Sequence, residues 1–260
     1  MADRVGRPDG ATPGLPRPGF RPVAAGRAAG SRDIVARWRL RPAGAAAAGG
    51  EPDHVWYAAY GSNMCAERLA CYLRGGRPAG GARTYPGCRD GRPPERAVPV
   101  TLPGQLYFAL ESTVWGGGTA FYDPDRPGVV PARAYLLTTG QFSDIAAQER
   151  HRAPGADLSP ATALRTGRDR LWPGRYGTLV CPGSLDHTPV LTLTASGGLA
   201  DADLRAPRAA YLRTIAAGLV QAHGWDLGRI ADYLGTRPGA DAQWTPTALR
   251  RALAETAGDD

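Results

Sequence analysis

Residues 55–69 read VWYAAYGSNMCAERL. Up to Tyr60 the run has strand composition, after Asn63 it has helix composition, and between them stand only residues that tolerate unusual backbone angles and offer bare amides. If a strand ends at Tyr60 and a helix starts just after Asn63, the free N–H groups of Gly61, Ser62, Asn63 and the first helical turn point outward together, with the positive end of the helix dipole behind them. Such a junction binds an anion, phosphate or carboxylate. It is too short for a P-loop and lacks the Gly-Lys-Ser/Thr that would follow one. A plain capped strand-to-helix turn explains the tetrapeptide equally well.

Further strands are expected in QLYFAL (105–110), TAFY (119–122), ARAYLLT (132–138), YGTLV (176–180) and PVLTLT (189–194), each bounded by Gly, Pro or Asp. Helices are expected from Met64 to Arg74, with Cys65, Leu69, Tyr72 and Leu73 along one side, and from Thr138 to Glu149, which opens with the capping-box pattern T-x-x-Q. The last third reads as helical. Pro207 suits a first turn, Tyr211, Leu212, Ile215 and Leu219 form one stripe, Gly224 suits the stop, Asp226 caps a short helix, and Thr245-Pro246 opens another. Many strands with few helices between them favour an α+β fold: a small mixed or antiparallel β-barrel with surrounding helices and a helical C-terminal extension. The expected division is a disordered Arg/Gly/Pro-rich tail over 1–53, one domain over 54–235 and the extension over 236–260. Residues 75–104 read as a long Gly/Pro/Arg-rich connection.

Composition excludes several functions. The net charge of +7 is concentrated at the front, where residues 1–50 hold nine Arg against three Asp; the rest is close to neutral, and the chain has no Lys. Basicity therefore argues only weakly for nucleic acid, and an Arg-rich arm diluted by nine Gly and six Pro is better read as disordered. The tail is also the kind of segment a misassigned translation start adds, with the native chain then beginning near Val55. No run of 18 apolar residues and no secretory-signal pattern is present, which places the chain in the cytoplasm with no membrane partner. Cys65, Cys71, Cys88 and Cys181 have no CxxC spacing, the four His lie far apart with no HExxH, and the His/Asp clusters of a zinc deacetylase are absent, so no metal or cofactor is expected.

In QFSDIAAQERH (141–151), Phe142, Ile145 and Ala146 define the apolar side of a helical wheel, and Glu149 falls in its middle. Burial disfavours the ionised carboxylate and raises its pKa toward neutrality, as a general acid/base requires. A helix-end Glu that bends back to solvent or pairs with Arg150 or Arg152 is the plainer alternative. Trp115 with Gly116, Gly117 and Gly118 would wall a pocket where a ligand meets backbone, or simply turn a hairpin. Tyr176 and Tyr211 offer hydroxyls to a cavity or to the core. Ser62 lacks the G-x-S-x-G context of a hydrolase nucleophile.

Taken together, YAAYGSNM, TLPGQLYF, WGGGTAF, ARAYLLTTGQFSDIAAQE and APRAAYLRTIAAGLVQAHG resemble, in order and over roughly residues 55–235, the gamma-glutamylcyclotransferase-like proteins. The resemblance implies a small mixed barrel and a reaction in which a γ-glutamyl amide or peptide cyclises to 5-oxoproline and releases an amine. By position, Tyr57, Ala58, Ala59, Tyr60, Gly61 and Ser62 would form the loop that holds the substrate's α-carboxylate, with Asn63 beside them. Glu149 would take a proton from the attacking amine and return it to the departing nitrogen. Trp115, Gly117, Tyr176 and Tyr211 complete the expected substrate-binding set. Ala58 stands where an aromatic is common, the 75–104 connection is long, and the terminal helices run past the usual end; these departures bear on substrate identity. The rival reading is a non-catalytic carboxylate-binding module of the same fold.

Overall fold

The computed structural model describes Leu40 and residues 51–255. The tail expected to be disordered, 1–53, lies outside the described residues except for Leu40 and 51–53.

β1 (His54–Ala59) is buried from Val55 onward on both faces, which is why it reads as an unbroken apolar run rather than an alternating one. It lies inside a six-stranded sheet with β2 (Arg96–Pro103), β5 (Val129–Thr138), β6 (Arg168–Arg170), β7 (Thr178–Leu185) and β8 (Thr188–Thr194), in the order β2-β5-β1-β8-β7-β6. β1 runs antiparallel to β5 and parallel to β8, so the sheet is mixed. β3 (Gln105–Glu111) and β4 (Gly118–Asp123) form a separate antiparallel ribbon. The α+β architecture expected from the sequence is the one observed. Among the described residues the backbone ladders do not close into a barrel, because the ribbon meets the sheet through a side chain. The Thr194 hydroxyl accepts from Tyr122 N at 3.0 Å and donates to Tyr122 O at 2.6 Å, standing in for a ladder step.

Three expectations need correction. The supposed connection 75–104 contains β2 from Arg96, whose Val98, Val100 and Leu102 alternate into the core. Pro99 and Pro103 disguise it, yet β2 is the edge of the sheet, where a missing N–H is tolerated. The helix after Asn63 starts later than expected. Met64 N and Cys65 N bond back to Gly61 O and Ser62 O, each at 3.1 Å, so Ser62–Met64 is a 3-10 turn, and the extended Cys65 separates it from α1 (Ala66–Arg74). Pro207 lies before its helix rather than in its first turn, since α4 (Ala209–His223) has Arg208 as its N-cap.

The other caps follow the sequence. Thr138 and Gln141 form a complete capping box at the start of α2 (Thr139–Glu149). Asp226 accepts from Arg229 N ahead of α5 (Leu227–Gly235), and Thr245 caps α6 (Pro246–Ala254). A short α3 (Ala161–Thr166) has no clear periodicity to announce it. Of the described helices, none is long and apolar enough to cross a membrane. Residues 236–245 are tied to the β ribbon and to the start of α4: Phe108 N donates to Pro238 O at 2.8 Å, and Trp244 Nε1 donates to Pro207 O at 2.9 Å.

Candidate active site

The turn at Ser62–Met64 is fixed from behind. Tyr135 OH and Arg133 Nη1 donate to Met64 O at 2.7 and 3.2 Å, and Gly218 of α4 is so close that a Cβ there would stand 2.4 Å from the Met64 Cβ. Held in this way, the turn presents the amide nitrogens of Gly61, Ser62 and Asn63 with no acceptor among the described residues. At the start of α1, Ala66 N is taken by Gln221 Oε1 at 2.9 Å. The amides without an acceptor that line the cavity are those of Gly61, Ser62 and Asn63 at the 3-10 turn.

α2 approaches the turn with its C-terminal end. Phe142, Ile145 and Ala146 anchor it in the core, and Gln148 Nε2 ties it to α1 by donating to Tyr72 O at 3.1 Å. Glu149, its last residue, is partly buried and faces the cavity beneath the turn. Asn63 is 6% exposed, and its Nδ2 donates to Tyr57 OH at 3.0 Å and to Glu149 Oε1 at 3.2 Å. Burial raises the proton affinity of Glu149 above that of an ordinary carboxyl; the Arg68 charge, the neighbouring Tyr72 hydroxyl, the hydrogen bond from Asn63 and the Arg175 charge oppose that rise. A position at the negative end of a helix works in the same direction as burial.

One cavity gathers Tyr57, Tyr60, Gly61, Ser62, Asn63, Trp115, Glu149, Tyr176 and Tyr211 from widely separated stretches of chain. Trp115 packs on Tyr211 with ring centres 5.8 Å apart. The Tyr211 hydroxyl accepts from Ala120 N at 3.2 Å while Tyr176 OH donates to Ala120 O at 3.3 Å, so both rings are held by the free edge of β4. Burial pushes Tyr211 up to about 12, and it is a neutral hydroxyl at physiological pH.

Three residues of the expected set do not reach this cavity. Ala58 and Ala59 lie in β1, opposite Ala134 and Arg133, with their backbone committed to the sheet and their side chains in the core. Gly117 belongs to the β3–β4 hairpin, where its N donates to Glu111 Oε1 at 2.7 Å and its positive φ of 62° and close approach to Ala206 O require glycine.

Sequence reasoning does not single out several other lining residues: Arg68, Tyr72, Tyr85, His151 and Arg175. Arg68 has a readable signal, since it precedes Tyr72 by four on the apolar side of α1, the same inward-facing logic that marks Glu149. Arg175 has none, because its loop position depends on contacts with Thr119 and Glu111. His151 follows α2, and burial together with the Arg83 and Arg175 charges favours its neutral form. Among the described residues no group of three or more His, Cys, Asp or Glu is placed to hold a metal ion.

No protein-family model matches the chain. Over 188 residues it is 33% identical to histone deacetylase 5 of Arabidopsis thaliana, an alignment covering 64% of this chain and 28% of that protein. The chain therefore spans little more than a quarter of the curated relative. Among solved structures it is similar to a gamma-glutamyl cyclotransferase, with a TM-score of 0.44 and 14% identity over 71% of this chain and 89% of that one. It is also similar to an uncharacterized protein of Homo sapiens, with a TM-score of 0.43 and 14% identity over 72% and 90%.

Proposed function

We propose that the protein is a cyclotransferase that converts a γ-glutamyl amide or peptide to 5-oxoproline and a free amine. The observation that supports this reading is the contact between Asn63 and Glu149, a carboxyl in one cavity with the unpaired amides of the Gly61–Asn63 turn.

The nucleophile belongs to the substrate. Turn amides hold the α-carboxylate, which folds the α-amine back toward the γ-carbonyl in a near-attack shape and supplies much of the rate. Glu149 takes the proton released as the new C–N bond forms. It then gives that proton to the departing nitrogen as the old C–N bond breaks, so the carboxylate is regenerated. A raised pKa suits both halves of this shuttle, since the group must bind a proton and also release one. Trp115 and Tyr211 form an aromatic wall beside the reacting bond, limiting competing water.

The test is 5-oxoproline release from a panel of γ-glutamyl amino acids, peptides and amines. Wild-type turnover that disappears in Glu149→Gln, with folding and ligand binding retained, supports the reading. Binding without any release by the wild type would make the protein a carboxylate-binding module instead.

A further inference from the structure

Arg68 is the buried charge for which the proposed chemistry has no task. It is 4% exposed and makes no ion pair among the described residues. A guanidinium taken out of water without a counter-charge loses hydration that nothing returns in full. It is nevertheless held firmly. Its central carbon lies 4.5 Å from the ring centre of Tyr72 and 4.4 Å from that of Tyr85, and Nη2 donates to Tyr72 OH at 3.2 Å and to Tyr85 OH at 2.7 Å. Cation–π attraction from two rings offsets part of the desolvation. Nε and Nη1 are buried without any partner and closed off from the cavity surface, so a ligand does not reach them in this arrangement.

Among the described residues, Glu149 is the single acid lining the cavity that Arg68 also lines. Tyr72 lines that cavity with both of them, and its hydroxyl accepts from Arg68 and so turns its own hydrogen away from the guanidinium. Around Glu149 the other facing groups are Asn63 and Tyr57 from β1 and its turn, Arg175 and Tyr176 from the loop before β7, Tyr211 from α4, and the neutral His151. Arg175 is the other cation lining the cavity, and its Nη1 and Nη2 already donate to Thr119 Oγ1 and Glu111 O on the hairpin.

We propose that Arg68 is a positioning residue: clamped by two tyrosines on the wall of the cavity that Glu149 lines, it supplies a fixed positive charge that favours the carboxylate form taking the substrate's proton. The clamp prevents a direct Arg–Glu pair, which would occupy the lone pairs that the reaction needs. This inference rests on the cyclotransferase reading for its reaction and on the clamp geometry for its physics.

The experiment measures kcat/KM against pH for wild type, Arg68→Met, Arg68→Lys and Tyr72→Phe. In parallel, the Glu149 carboxyl carbon is titrated by NMR in the same proteins labelled at glutamate. The chain has six Glu, so its resonance is assigned by difference from Glu149→Gln. Loss of the cation should move the acidic limb and the titration upward by about one pH unit in Arg68→Met, with a smaller change in Tyr72→Phe and recovery toward wild type in Arg68→Lys. Unchanged titration in Tyr72→Phe and in any folded Arg68→Met, or an Arg68→Lys profile as displaced as Arg68→Met, overturns it. If no γ-glutamyl compound yields 5-oxoproline, the cyclotransferase reading falls by itself, and the carboxyl titration still decides whether Arg68 governs Glu149.

Discussion

Asn63 Nδ2 reaches Glu149 Oε1 at 3.2 Å across 86 positions of sequence, and the same nitrogen donates to Tyr57 OH. The amide is buried and its oxygen has no partner among the described residues, so its orientation is set by the two acceptors that it serves. Replacing Asn63 by Ala removes a donor that favours the charged carboxylate. A hydrogen bond to a charged group contributes about 1.5–3 kcal/mol, so kcat/KM for 5-oxoproline release should fall by roughly tenfold to a hundredfold. The acidic limb of the pH profile should also move up. A pH profile superimposable on wild type would remove Asn63 from the mechanism.

Glu149 should lower stability at neutral pH. Its folded pKa is raised, so the folded protein binds the proton more tightly than the unfolded chain does. That contribution is favourable in acid and is lost as pH climbs from the ordinary carboxyl value through the raised one, at about 1.4 kcal/mol for each pH unit separating the two. Glu149→Gln should therefore be more stable than wild type at neutral pH and equally stable at about pH 4. Denaturant titrations at the two pH values measure this difference, and a variant less stable at neutral pH contradicts the assignment.

Gly218 sets how near α4 comes to the turn. A methyl group there meets the Met64 Cβ at 2.4 Å and the Cys65 N at 2.7 Å, both on a backbone segment that cannot swing aside. Gly218→Ala should cost about 1–3 kcal/mol as an overpacked contact. It should also weaken turnover, because the displaced segment carries the amides of the site. Urea unfolding and 5-oxoproline assays on the same preparation test both effects together.

Trp115 packs on Tyr211 at the cavity wall and takes no part in the hydrogen bond between Asn63 and Glu149. Trp115→Ala should raise KM more than it lowers kcat, since it removes wall area that substrate and transition state share. A change confined to kcat would instead place the indole among groups that act only in the transition state.

Much of the site is legible before folding is considered, and the particular residues show why. Glu149 is marked by its phase relative to Phe142 and Ile145, and the Thr138 cap by its spacing to Gln141; both are local periodicities that a helix must express. β2 escapes notice because Pro99 and Pro103 resemble loop residues until the strand is known to lie at an edge. Ala58 and Ala59 enter the expected site by adjacency to Tyr57 and Tyr60, but burial on both faces of β1 and its ladder partners keep them in the core.

By itself the sequence determined the strand-turn junction after Tyr60, the inward acid at 149, the helix caps and the α+β order of elements, because each depends on neighbours within a few residues. Tertiary structure alone decided that the amides without an acceptor at the 3-10 turn line the cavity, that Arg68 stands clamped between Tyr72 and Tyr85, and that Arg175 reaches the same cavity. Those facts depend on where strands 1, 4, 5 and 8 and helices 1, 2 and 4 come to rest against one another, and no local periodicity encodes the meeting of side chains so far apart along the chain.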